Sequence, residues 1–121
     1  AALRAVLKSV TKYTNNTGNS SAASAVTATT DYFFLLSEYE VFGSTTYANS
    51  NEASKQAQYS YYSAGNSKVK YNHSATSTAV RWWLRSPRTS FSTRFVFVST
   101  DGTVGSRDAH YSLGFASGFC V

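Results

Sequence analysis

The sequence predicts an α+β domain with two short helices in its N-terminal half and a small antiparallel, β-rich C-terminal half. Three observations lead there. Ser37-Glu38-Tyr39-Glu40 before Gly43 has the form of a short capped helix. Arg81 to Arg85 and Phe95 to Ser99 carry the apolar and aromatic content of core strands. Asp101-Gly102 between Phe95–Ser99 and Thr103-Val104 is a strong hairpin signal. The 121 residues suffice for one domain, 1–121, with a real hydrophobic core.

The elements follow in order. Leu3, Val6, Leu7 and Val10 recur at i, i+3, i+4 and i+7, so 1–7 reads as a short helix. Alternation from Lys8 to Tyr13 reads as a strand. Thr14 to Thr30, rich in Ser, Thr, Asn and Ala, is expected to be a long surface loop. Tyr32 to Leu36 is a compact apolar run, expected to be a buried strand. The helix capped by Ser37 should run through Phe42 and end at Gly43. Ser50 or Asn51 caps a second helix from Glu52 to about Ala64, with an apolar stripe of Ala53, Ala57, Tyr61 and Ala64. Ser67 to Tyr71 is a short strand and Asn72 to Thr78 a loop. In Arg81–Arg85 the two tryptophans, Trp82 and Trp83, point to opposite faces. In Phe95–Ser99, Phe95 and Phe97 share one face and Val96 and Val98 the other, and the pattern does not say which is wet. Ser106 to Ser112 is expected to be irregular, and Phe115 to Val121 a terminal strand. Water is expected to be excluded by Trp82, Trp83, Phe33, Phe34, Leu35 and Phe119.

Composition narrows the function classes. Hydrophobic residues are 42%, aromatics 16% and charged residues only 14%, against roughly 25% charged in an average domain. Solubility therefore rests on 20 Ser and 14 Thr. Net charge is +5, but the cations are scattered and no two are adjacent, so the balance reads as solubilising and a nucleic-acid partner is not expected. The single cysteine, Cys120, excludes an intrachain disulfide. His73 and His110 stand apart with no zinc spacing, and the few carboxylates form no calcium-like cluster, so no metal or cofactor is expected. Nothing in the chain as it stands reads as a secretion signal, and no apolar run of about 18 residues could span a membrane. Asp108, His110 and Ser112 lie within five positions on one polar stretch, but a catalytic triad is defined by spatial roles and not by proximity in sequence. The chain reads as a non-enzyme.

The alphabet changes at Pro87. Residues 1–87 hold five Lys, three Glu, two Gln, two Trp and seven Asn, whereas 88–121 hold none of these. The tail keeps three Arg, two Asp, one His, one Tyr and five Phe. Either strands and turns simply lack those residues, or the tail was diversified through a codon set that excludes Lys, Glu, Gln and Trp. Large apolar residues set among Arg, His, Ser and Thr are the material of recognition surfaces.

The phrases Phe33-Phe34-Leu35-Leu36-Ser37-Glu38-Tyr39-Glu40-Val41-Phe42-Gly43, Tyr59 to Tyr71, Trp82-Trp83-Leu84-Arg85-Ser86-Pro87, Thr100-Asp101-Gly102 and Gly118-Phe119-Cys120-Val121 resemble variable proteins of diversity-generating retroelements, found in gut bacteria and their phages. The resemblance implies a C-type-lectin-like fold, related to that of formylglycine-generating enzymes. It implies a scaffold over 1–87 and a variable region over 88–121. The rewritten positions would be Arg88, Thr89, Phe91, Thr93, Arg94, Phe97, Ser99, Thr103, Gly105, Ser106, Arg107, Asp108, His110, Tyr111 and Leu113, and all of these but Gly105 would bind the ligand. Their partner would be a cell-surface protein or glycan receptor, met at a phage virion or bacterial cell surface, with oligomerisation possible through a parent protein. The chain lacks the cysteine pair of the aerobic formylglycine-generating enzymes. It also lacks the Glu-Pro-Asn or Gln-Pro-Asp element of calcium-dependent sugar-binding lectins, since its one proline follows Ser86. The alternative is a fixed-specificity polysaccharide- or nucleic-acid-binding domain with a basic aromatic surface.

Overall fold

The structure is a computed structural model in which residues 2–121 are described. It begins with helix α1 (Ala2–Val6), whose Leu3 and Val6 remain exposed. The helix expected over 1–7 forms over Ala2–Val6 and ends before Leu7; Ala1 lies outside the described residues. Strand β1 (Val10–Asn15) pairs antiparallel with β2 (Val26–Asp31), from Val10↔Asp31 to Asn15↔Val26. The loop expected over 14–30 is thus confined to its middle. The Thr-rich strand β2 hides no alternating apolar face, since Thr27 to Thr30 are all exposed. Its β-branched residues still favour extended backbone.

Strand β3 (Phe33–Leu35) precedes helix α2 (Glu38–Phe42). The capping box forms as the sequence predicts: Ser37 Oγ accepts from Glu40 N at 3.1 Å, and Glu40 Oε2 accepts from Ser37 N at 2.9 Å. Gly43 closes the helix with φ 68°, a conformation that favours glycine. The second predicted helix breaks in two. Residues Ser50–Lys55 form a 3₁₀ segment capped by the Asn49 side chain, and helix α3 is only Ser60–Ser63. The break follows from burial. Glu52 and Tyr62 are the buried residues of the two pieces, while Ala57, Tyr61 and Ala64 of the expected apolar stripe face solvent.

Strands β4 (Lys70–Asn72) and β5 (Ala75–Val80) form a hairpin, so the loop expected over 72–78 shrinks to 73–74. Strands β6 (Trp82–Pro87), β7 (Arg94–Val98), β8 (Val104–Asp108) and β9 (Gly114–Phe115) make a four-stranded sheet in the order β8-β7-β6-β9. Its β6–β7 and β7–β8 pairs are antiparallel, and β9 runs parallel to β6. The terminal strand is split: β10 (Ser117–Phe119) leaves β9 and pairs antiparallel with β3. The molecule is a small α+β domain of short helices and mostly antiparallel sheets. No helix among the described residues is long and apolar enough to cross a membrane.

The core joins Val41, Tyr62, Trp82, Leu84, Val96 and Val98, with Leu36, Phe42, Tyr47, Val104 and Ala116 against it. Alternation along β6 sends Trp82 and Leu84 inward and leaves Trp83 half-buried on the other face. Phe33 and Phe119, expected to exclude water, instead form an edge-to-face pair that stays about half exposed, 55% and 47%.

Beside this apolar core runs a buried polar layer. Glu40 accepts from Lys12 Nζ at 2.7 Å and from Arg85 Nη1. Arg85 directs the rest of its guanidinium to Thr14 Oγ1, the Leu35 and Tyr13 carbonyls and Gln56 Oε1, so every N–H is used. A buried ion pair is tolerated only when its remaining donors and acceptors are satisfied in this way.

Candidate functional site

Proline ends β6, and the chain turns through 88–93 before re-entering the sheet as β7. The start of this turn is fixed from below by the scaffold. Glu38, fully buried, accepts backbone N–H groups from Thr46, Tyr47 and Ala48. Its own N–H donates to Ser86 Oγ at 3.0 Å, and Ser86 Oγ donates to Glu52 Oε2 at 2.9 Å. Tyr47, positioned by Glu38, takes Thr89 N (2.9 Å) and Thr89 Oγ1 (3.1 Å) on its carbonyl. Burial pushes the Glu38 and Glu52 carboxyls above their ordinary value, against the N–H and hydroxyl donors that pull the other way.

On this base stands a layered cluster. The Arg88 guanidinium lies 4.7 Å from the Tyr47 ring centre and 4.2 Å from that of Phe91, and Arg94 covers Phe91 at 4.7 Å. Cation–π contacts of this kind hold guanidinium planes flat against rings. Arg88 Nη1 donates to Ser106 Oγ at 2.7 Å. Asp108 accepts from Thr93 Oγ1 at 2.8 Å and lies 3.4 Å from Arg94 Nε. The Thr93 hydroxyl, then the charges of Arg94 and His110, hold the half-exposed Asp108 carboxyl below its ordinary value. Ser90, in the turn, has φ 72°, which is uncommon outside glycine.

A second layered group lies on the other face of β8. Register puts Arg107 opposite Phe95, whereas Asp108 is opposite Arg94. The Arg107 guanidinium sits 3.9 Å from the Tyr111 ring centre, and the His110 ring stacks on Tyr111 at 4.4 Å. Strand β8 is the edge of its sheet, so the two groups wrap one strand end as a belt and meet at Asp108.

The structure thus brings together Arg88, Thr89, Phe91, Thr93, Arg94, Ser106 and Asp108 on one face and Arg107, His110 and Tyr111 on the other. They divide between two faces because consecutive residues of a strand point opposite ways. Ser99 and Thr103 lie at the far tip of the β7–β8 hairpin, five residues or about 17 Å along the strand from Arg94. Leu113 lines a separate cleft beside β9. Phe97 is not displayed at all. It is 8% exposed, edge-on to Trp83 at 6.4 Å, and covers Gly105. Sequence reasoning missed Tyr47, the floor of the belt, for which the sequence carries no signal: its contact with Thr89 spans 42 residues.

A family model described as "Domain of unknown function (DUF6273)" matches residues 1–121. The chain belongs to the DUF6273 family. That description assigns DUF6273 no activity. No curated protein and no solved structure matches the chain.

Proposed function

We propose that the chain is a ligand-binding domain of C-type-lectin-like fold whose residues 88–121 form a variable region rewritten by a retroelement. The belt around the end of β8 binds a cell-surface protein or glycan from a phage virion or bacterial surface, without catalysis. One observation supports this reading: the segment whose residue alphabet narrows after Pro87 carries both exposed arginine–aromatic layers, alongside core residues such as Val96 and Val98. The scaffold supplies all three buried carboxylates, Glu38, Glu40 and Glu52. The tail supplies the Arg88–Phe91–Arg94 and Arg107–Tyr111–His110 layers, with Phe91 and Tyr111 about 40% exposed. Arg and aromatic side chains are those that most often carry binding energy. Held on a rigid frame, they meet a partner at low entropic cost.

The test is the surrounding DNA of sibling isolates. The expected result is an adenine-rich near-copy of the 88–121 coding region beside a reverse transcriptase, with differences between isolates concentrated at the belt positions. Differences spread evenly through 1–121, with no such copy, reject the reading. The two arginine layers favour one alternative, a fixed-specificity site for a polyanion. Its binding to an oligonucleotide would fall steeply with added salt, whereas the receptor-binding reading expects no saturable oligonucleotide binding.

A further inference from the structure

At the opposite edge of the four-stranded sheet from the belt, a cleft of about 530 Å³ opens between the β4–β5 hairpin and β9. That volume lies within the range of small-molecule sites, about 300–1,000 Å³. Trp82 lines it without offering a donor, because its indole N–H is spent on the Lys68 carbonyl at 3.0 Å. Val80, Leu113 and Ala116 continue the apolar wall. Two rings, Tyr71 at 57% exposure and Phe115 at 74%, border the opening. The polar side chains of the lining are Lys70, Asn72 and His73, together with the Tyr71 hydroxyl; none is acidic. Lys70 Nζ sits 5.5 Å from the Trp82 ring centre. The ion pairs among the described residues use Lys12, Arg85 and Arg94, so Lys70, which lines both this cleft and the neighbouring one beside Phe119, has no carboxylate partner.

We propose that this cleft is a second binding site, for a small carboxylate carried on a flat apolar ring. Lys70 supplies the counter-charge, and the exposed rings of Tyr71 and Phe115 supply surface for the ring, while Trp82, 1% exposed, only backs the wall. A sugar fits this chemistry poorly. Its hydroxyls would gain little from the exposed apolar rings of Tyr71 and Phe115, whereas a flat apolar ring would cover them. The site is independent of the belt: of its lining residues only Leu113 is among the positions expected to vary.

The experiment titrates isotope-labelled protein with naphthoate, its neutral amide and glucuronate, following backbone amide shifts. Saturable shifts at Lys70–His73 and Gly114–Ala116 with naphthoate are expected, with the neutral amide about tenfold weaker. Lys70→Gln should lower naphthoate affinity by about the same factor and leave the neutral amide unchanged. Phe115→Ser, at a ring too exposed to matter for folding, should weaken both, and Arg94→Ala should change neither. The proposal is overturned by equal affinity for acid and amide, by tighter binding of glucuronate, by shifts confined to residues 88–94, or by no saturable shift with naphthoate.

Discussion

Phe97 occupies the space that a side chain at Gly105 would need. The two are direct partners across the β7–β8 ladder, and a Cβ placed on Gly105 would lie 2.6 Å from Phe97 Cζ. Glycine is required there by the ring opposite it. Two positions among those the resemblance implies are rewritten are therefore one packing unit.

Gly105→Ala should destabilise the domain by about 1–3 kcal/mol, the cost of overpacking a filled site. Phe97→Leu in the same chain should recover part of that loss, because neighbours sharing one volume are non-additive. Urea unfolding of the two single variants and the double variant measures the coupling. Additive losses would mean that the ring moves aside freely.

The belt should behave as surface. Alanine at Arg94, Arg107 or Tyr111 is expected to change stability by no more than about 0.5 kcal/mol, since exposed ion pairs and stacked surface side chains contribute little to folding. Thermal melts check this, and large losses at all three would make the belt part of the folding core. Trp82→Ala, by contrast, removes a 1%-exposed ring from the centre of the molecule and should cost about 3–5 kcal/mol.

Local grammar was legible and long-range partnership was not. The Ser37–Glu40 capping box, the αL stop at Gly43, the β6 strand and the Asp101-Gly102 turn all depend on residues a few positions apart, and each forms as read. Strands β2 and β5 were invisible because Thr27–Thr30 and Ala75–Thr78 bury no face and so show no alternation. In β7 the valines and not the phenylalanines took the core: Val96 and Val98 are fully buried in it, while Phe97 packs on the other face. Alternation defines two faces, and only the neighbouring elements decide which is covered. Glu38 and Glu52 read only as helix-start residues, yet both connect through Ser86, 48 and 34 residues away. The arginines and aromatics of the belt stand out in the tail's composition. Their division between two faces of β8 followed from a register that no residue pattern announced.

Glu40→Gln should be among the most damaging polar substitutions. Lys12 and Arg85 both direct charge at this carboxylate from side chains only about a tenth exposed. Removing its charge leaves two buried cations without a counter-ion, at a cost of about 3–5 kcal/mol. A small loss in chemical unfolding would mean that water reaches the layer.

The same layer sets the pH dependence, with two opposite signs. Burial raises the Glu40 carboxyl, but hydrogen bonding and charge from Arg85, with Lys12, outweigh it and leave the group below its ordinary 4.5. Its contribution is therefore complete above 4.5 and is lost as pH falls through the depressed value. Glu52 is raised above 4.5, chiefly by burial and slightly by the charge of Glu38. Its folded form prefers to hold the proton, so stability falls as pH rises from 4.5 through the raised value. Unfolding free energy measured against pH should accordingly decline on both sides of a maximum near the ordinary carboxylate range. Glu52→Gln lowers the whole curve, because its amide meets the Ser86 hydroxyl that the carboxylate accepted. It should also reduce the decline on the high-pH side, leaving the share that the raised Glu38 contributes, and leave the acid-side decline in place. The slope, and not the height, is the diagnostic. An unchanged high-pH slope in the variant would mean that Glu52 is ionised in the folded state at no cost, with Asn15 N–H and Ser86 Oγ–H sufficient to hold its charge.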